Sequence, residues 1–462
     1  MKTPLVPALL ALLLFAVASV SFGGLEGAGV LALGSFFLVA FALLLFRRAT
    51  TDARSVRNQR AEDDKQFLWM LVLGGTAVRA ALALGIRAAG ANSAIAPDEF
   101  TFHDNGQYFS MWLRGDVAQP FGYKWLESTQ VGYFVVVGLL YSTFGEYQVI
   151  PVLLNCVIGG LCAWPAYILA ARMGGRLAGR SSAVLVTFFP SVVLWSTLLI
   201  RDAWVLFLLL WGACFAQALL EKFRVRTLLL LTLCLAAIAT LRSYLLVVTA
   251  AAIVTSFLVA AIRRPGRAIA ASVACAAAVL LMMKVTGLGA DYLGDASLKS
   301  LALRREYNAI GEGGIGLAGH DLSTPTGALA YLPVGLAWFL FSPFPWQFSG
   351  RQGLAIPEVL IWYVCLPLVV AGAVFALRKR RRRALVPLFT GALVALVYSL
   401  VEGNVGIIFR HRAQALVLLL PFAAVGWARR RARERTRVRK LTIASRRRLQ
   451  VARSRTPAPA GA

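Results

Sequence analysis

Residues 201–222 read RDAWVLFLLLWGACFAQALLEK, and this stretch decides the fold class. Between Asp202 and Glu221 stand 18 residues without a charge. A helix needs roughly 20 apolar residues to cross the hydrocarbon core of a bilayer. The charges gather at the two ends, as expected when a charge at the membrane centre costs about 3 kcal/mol or more.

The same pattern recurs along the chain. Candidate spans fall at about 4–22, 26–46, 66–87, 149–171, 181–199, 202–220, 226–241, 244–262, 268–286, 355–377, 384–401 and 413–427. The 462 residues are 59% hydrophobic, with a mean hydropathy of +0.70. That apolar fraction lies well above the soluble range. The runs are helix-like in length, whereas a membrane barrel would show short alternating strands. The sequence therefore predicts an all-α polytopic bundle of about twelve transmembrane helices.

The net charge of +27 invites a nucleic-acid reading. Its placement argues against one. Much of the charge lies in Arg429 to Arg455 and Arg378 to Arg383, beside hydrophobic spans. Such segments set topology and meet anionic lipid heads. With the N-terminus in the cytoplasm, the inner connectors become 47–65, 172–180, 221–226, 263–267, 378–383 and the tail. Each is rich in Arg or Lys. The C-terminus is then cytoplasmic too.

Met1-Lys2-Thr3-Pro4 and the apolar run behind it resemble a signal peptide, with small residues at Ser19 to Gly24. A second apolar run follows at once, so the first is read as an uncleaved span. Two further apolar stretches, Val131 to Phe144 and Ala328 to Trp346, are short and interrupted. Counting either one alone as a crossing inverts every later connector. They are read as helices in the outer interface or re-entering the membrane.

The expected organisation is an N-terminal hairpin and basic loop (1–65) and a transmembrane core (66–286) whose first outer loop is 88–148. A second outer loop (287–354), C-terminal spans (355–427) and a basic tail expected to be disordered (428–462) follow. The six cysteines, Cys156, Cys162, Cys214, Cys234, Cys275 and Cys365, all fall in apolar runs and read as small buried residues.

Chemistry-bearing residues collect on the outer side. The first outer loop holds Pro97-Asp98-Glu99-Phe100-Thr101-Phe102-His103-Asp104. Neighbouring carboxylates raise one another's pKa, and one of them can serve as a general base. Asp98, Glu99 and His103 also offer oxygen and imidazole ligands to a divalent metal such as Mg or Mn. The plainer alternative is a helix start capped by Asp98 in a solvated acidic loop. Arg201-Asp202, Arg242 in Leu241-Arg242-Ser243-Tyr244, and Arg410 and Arg412 in Glu402 to Arg412 stand at outer ends, against the inside bias. The guanidinium fork suits phosphate oxygens. Snorkelling to lipid phosphates is the alternative for each. Together, one carboxylate and several arginines suit sugar transfer from a lipid phosphate. A hydrolase would set two carboxyls across the bond.

Several of these residues resemble the GT-C glycosyltransferases, in particular the bacterial family 39 and RgtA/B/C/D-like membrane proteins. The resemblance runs through Pro97-Asp98-Glu99, His103-Asp104, Leu113-Arg114-Gly115, Gly132-Tyr133, Leu140-Tyr141, Phe144-Gly145, Asn155, Phe189-Pro190, Trp195-Ser196 and Arg201-Asp202. It covers about 66–262 well and the remainder loosely. It implies a GT-C-like bundle with interfacial helices in the outer loops, in the bacterial inner membrane. It implies a polyprenyl-phosphate sugar donor and a glycan, lipid or protein acceptor. By resemblance Asp98 carries the catalytic base, with Glu99 beside it. His103 and Asp104 would orient the base or bind metal, and Arg201, Arg242, Arg410 and Arg412 would hold the donor phosphate. Two spans precede the family's usual first one, and no large soluble domain follows the last.

Two other readings compete. An O-antigen polymerase- or ligase-like transferase would lean on Arg304, Arg305 and His320 of the second outer loop. A transporter or flippase of lipid-linked sugars would carry ionisable groups at mid-membrane and an internal repeat.

Overall fold

The computed structural model describes residues 56–120, 131–262, 265–286, 297–310, 313–317, 319–347 and 355–455. The expected spans 4–22 and 26–46 lie outside the described residues. In chain order the helices are α1 (Val56–Ala88), α2 (Asn92–Ile95), α3 (Glu99–Arg114), α4 (Gly132–Phe144), α5 (Val149–Leu161) and α6 (Ala163–Gly174). They continue as α7 (Arg176–Thr187), α8 (Pro190–Leu194), α9 (Asp202–Glu221), α10 (Val225–Leu241), α11 (Ser243–Ala261) and α12 (Pro265–Thr286). The last are α13 (Leu298–Asn308), α14 (Pro325–Phe341), α15 (Ile356–Val401) and α16 (Val405–Arg455). Among the described residues the only sheet-like pairing is an isolated bridge between Gly314 and Asn404.

Seven stretches are long and apolar enough to cross a membrane: Glu62–Ala88, Val149–Gly174, Asp202–Glu221, Ser243–Ala261, Ile356–Lys379, Arg382–Val401 and Val405–Ile443. The chain is thus an all-α bundle with the make-up of a multi-pass membrane protein. Two polar ends define it. At the basic end Asp64 pairs with Arg176 and Arg180, and Arg383 pairs with Glu221. At the other end Asp202 pairs with Arg242 and Arg410. Because Glu221 and Arg242 lie at opposite ends, α10 carries the chain across with only 17 residues.

The segment expected as one span at 181–199 is not a single helix. It runs as α7, the single turn α8, and an irregular stretch 195–201. Pro190 has no N–H to continue the ladder, and its ring pushes Phe189 to an extended conformation (ψ 128°). Irregular backbone at membrane depth must find its partners inside the protein. Buried Arg79 supplies them at the break, donating to the Thr187 carbonyl at 2.7 Å and the Ser196 hydroxyl at 2.7 Å. Asn155 donates to the carbonyls of Leu198 and Ile200 at 2.8 and 2.9 Å. Glu99 accepts from Leu199 N at 2.5 Å.

The sequence predicts a loop between the spans 355–377 and 384–401, yet α15 is helical through Arg378 to Arg383. A straight helix of 46 residues would run about 70 Å. Instead Glu358, near one terminus, pairs with Arg412, and Tyr398, near the other, donates to Gln414. The helix therefore folds back at the basic end, and its two legs run antiparallel. The tail departs from expectation more fully. Residues 428–455 continue α16 as helix rather than disorder.

The two interrupted stretches remain at the site end. With 13 residues α4 reaches only about 20 Å, short of the hydrocarbon thickness. It packs against α3 where Gly106 meets Val137 and Gly138 meets Phe109. A Cβ at either glycine would overlap its neighbour, so small residues set the close approach. Helix α14 touches Arg305 through Tyr331 and α15 through Phe341, both at this end. All six cysteines are buried and unpaired.

Candidate functional site

The site forms where α3, α9, α11 and α16 present polar residues at one end of the bundle. Asp98 caps α3 by position only. Its side chain makes no capping hydrogen bond and reaches instead to Arg410 Nη1, 2.5 Å away. Arg410 also grips Asp202 Oδ2 through Nε at 2.9 Å and Nη2 at 2.6 Å. The other oxygen of Asp202 accepts from Arg242 Nη2 at 3.0 Å. One buried carboxylate thus orients two guanidiniums, and one of these faces Asp98.

Behind Arg242 the network continues. Its Nη1 donates to the Tyr244 hydroxyl at 2.8 Å and meets His411 Nε2 at 2.7 Å. Arginine can only donate, so His411 Nε2 accepts and the imidazole proton sits on Nδ1. That proton goes to Glu402 Oε1 at 2.8 Å. Tyr398 stacks on His411 at 4.8 Å between centroids. Arg242 and Asp202 are nearly inaccessible, whereas the Asp98 side chain is 46% exposed.

Arg201 is the third cation. Its guanidinium lies 5.6 Å over the Phe102 ring, one helical turn from Asp98. Among the described residues it has no carboxylate partner, and its Nε has no hydrogen-bond partner. Burial, followed by the nearby Arg242 charge, weakens its hold on its proton. The Arg242 Nε is likewise without a partner. A largely enclosed cation with an unpartnered N–H favours an anion.

The electrostatics of Asp98 balance two opposing effects. Burial pushes its carboxyl up. The Arg410 guanidinium outweighs this by charge and hydrogen bond, and the group stays below the ordinary carboxylate value. Burial lowers His103, against the opposing charges of Asp104 and Glu146.

Several expected members stand elsewhere. Glu99 is buried and turned inward. Its Oε1 takes Leu199 N and lies 3.5 Å from Arg87, while Oε2 accepts from Asn92 at 2.7 Å. His103 Nδ1 meets the Tyr141 hydroxyl at 2.9 Å, and Asp104 is exposed. The candidate metal set Asp98, Glu99 and His103 therefore diverges. Among the described residues no three His, Cys, Asp or Glu groups converge to hold a metal. Arg412 faces away from the cluster. It is fully buried, pairs with Glu358 at 2.8 Å and donates to the Ser342 carbonyl. In the second loop Arg305 is sealed in, donating to the Glu402 carbonyl and the Tyr331 hydroxyl.

The supporting residues Arg79, Arg87, Asn92 and Tyr398 were not singled out from sequence. Arg79 had one signal, a charge within an apolar span. The others become visible only once distant segments pack.

A helical multi-pass bundle with a half-exposed carboxylate set against buried cations is the class that fold and site define. No protein-family model matches this chain, and no curated protein matches it.

Proposed function

We propose that the chain is a GT-C-like membrane glycosyltransferase of about twelve spans, acting on the extracytoplasmic face of a bacterial inner membrane. It moves a sugar from a polyprenyl-phosphate donor to a cell-envelope glycan, lipid or protein acceptor. The observation that carries this reading is the line Asp98–Arg410–Asp202–Arg242, with Arg201 beside it, whose Nε has no hydrogen-bond partner among the described residues.

In this reading Arg410 and Arg201 bind the donor phosphate, with Arg242 held behind them by Asp202. The acceptor oxygen attacks the anomeric carbon while the bond from that carbon to the phosphate oxygen breaks. The electron pair stays on the phosphate, whose growing charge the guanidiniums stabilise. The hydroxyl proton passes to Asp98. Attack opposite the leaving phosphate inverts the anomeric centre. Glu99 acts as an anchor for 195–201 and for α2 rather than as a reacting group. Because the expected metal ligands diverge, no step is assigned to a metal.

Transfer from radiolabelled polyprenyl-phosphate sugars in membranes, wild type against Asp98→Asn, tests the reading. Loss of a general base should cost roughly 10²–10⁴-fold. Equal transfer by both proteins would remove Asp98 from the chemistry.

A further inference from the structure

The pairing of Asp98 with Arg410 conflicts with the role of a base. A carboxylate already bound to a guanidinium is a poor acceptor for a further proton. The geometry suggests how the conflict resolves. Arg410 is fixed to buried Asp202 through Nε and Nη2, and only Nη1 projects to Asp98. It can therefore change its outer partner without leaving its inner one. Asp98 engages it through Oδ2 alone and is half exposed. Solvent reaches this pair on the Asp98 side and screens it, whereas a phosphate takes charge-assisted hydrogen bonds from several guanidiniums at once.

We propose that Asp98 is held latent by Arg410 in the empty site, and that an arriving lipid phosphate takes over Arg410 Nη1 and frees Asp98 as the base. The idea rests on the phosphate-site reading above. In the exchange no covalent bond changes. One hydrogen bond from Nη1 moves from the Asp98 carboxylate to a phosphate oxygen, and Asp98 keeps its negative charge. The consequence is an order of events, with the donor bound before the acceptor hydroxyl can be activated.

The groups facing Asp98 are few. Arg410 comes from α16 and Asp202 from α9, with Arg242 and Arg201 next to Asp202. Removing the Arg410 contact leaves Asp98 near the Asp202 charge, which raises its affinity for a proton. Phosphate binding should therefore move the Asp98 titration upward.

Infrared difference spectroscopy on the full chain can follow the Asp98 carboxyl, with Asp98→Asn identifying its band. The probe is farnesyl phosphate, with farnesol as control. The expected result is a titration midpoint raised by about 1 pH unit or more with saturating farnesyl phosphate and unchanged with farnesol. In Arg410→Gln, saturated with the same probe as judged by phosphorus NMR linewidth, the ligand-dependent rise should vanish. The ligand-free midpoint of that variant should already be high. An unchanged midpoint in wild type overturns the exchange, as does a rise of equal size in Arg410→Gln, since the phosphate charge alone would then explain it. Failure of wild type to bind farnesyl phosphate sinks the phosphate site itself. The transfer assay reports separately on the enzymatic reading.

Discussion

Arg410 Nη1 lies 2.5 Å from Asp98 Oδ2 although 312 positions separate them in the chain. The last helix thus meets the first loop, and Asp202 is what holds the meeting in place. Asp202 serves buried Arg242 and largely enclosed Arg410 with one carboxylate. Replacing it as Asp202→Asn leaves two guanidiniums facing each other without their counter-charge. Breaking a buried pair in this way costs about 3–5 kcal/mol. The half-exposed Asp98 should cost at most about 1 kcal/mol as Asp98→Asn. Thermal unfolding of the purified proteins, followed by tryptophan fluorescence, should show a large fall for the first and a small one for the second. Equal midpoints would mean that Asp202 does not organise the cluster.

A second prediction separates the adjacent acids. Glu99 accepts from Leu199 N and from Asn92, and it lies close to Arg87. All three neighbours donate, so the amide nitrogen of Glu99→Gln must face a donor. The expected loss is about 1–3 kcal/mol of stability. Asp98→Asn should do the reverse, sparing the fold and slowing transfer by roughly 10²–10⁴-fold. Melting curves and transfer rates measured side by side check the pair. A Glu99→Gln protein with wild-type stability would remove its anchoring role.

How much of this was legible beforehand depended on the range of the interactions involved. Apolar runs and basic connectors are local, so the crossings of 66–87, 149–171 and 202–220 follow from composition and reappear in the structure. Asp98, Arg201, Arg242 and Arg410 were also legible one by one, as charges at span ends. Their order in space was not. Nothing local says that Arg410 reaches Asp98 while Arg412, two residues on, turns to Glu358. On a helix a step of two residues points to the other face, and only the packing of α16 decides which face meets which neighbour. Glu99 and Asp98 diverge for a similar reason. The start of α3 places one toward the irregular segment 195–201, whose existence depends on Pro190 and on Arg79 from another helix. The helical tail is not legible in its dense run of arginines, because its helix is the continuation of α16.

Titration supplies a third prediction. His103 donates to or accepts from Tyr141, and burial, set against Asp104 and Glu146, keeps its pKa below the ordinary value. In the unfolded chain a histidine takes its proton near pH 6.5. Between that pH and the lower folded value, the unfolded state binds more protons, so stability falls as pH falls. Below the folded value the penalty levels off. Unfolding midpoints measured from pH 7.5 down to pH 5 should show a decline that begins near 6.5. His103→Gln should flatten that decline. An identical slope in the variant would show that His103 does not feel its surroundings.

The last prediction concerns which way the bundle faces. Among the arginines at the site end, Arg87, Arg201, Arg242, Arg305, Arg410 and Arg412 stand against the inside bias of positive charge. Arg242, Arg305 and Arg412 are almost wholly buried, and most of the six are matched to carboxylates or carbonyls. These six contribute little free positive charge to that surface, and exposed Arg114 is matched by Asp116 and Glu146. The opposite end carries Arg176, Arg224, Arg430 and Arg433 in the open, beside a helical tail dense in arginine. The positive-inside rule counts charges of this second kind, so the basic end should be cytoplasmic. Native cysteines are all buried and should not react with a bulky polar maleimide. Single replacements at exposed positions, Asp104→Cys at the site end and Glu434→Cys at the basic end, therefore give a clean readout in intact cells. A membrane-impermeant maleimide should label the first from outside and the second only after permeabilisation. The opposite pattern would put Asp98 on the cytoplasmic side, out of reach of any extracytoplasmic acceptor.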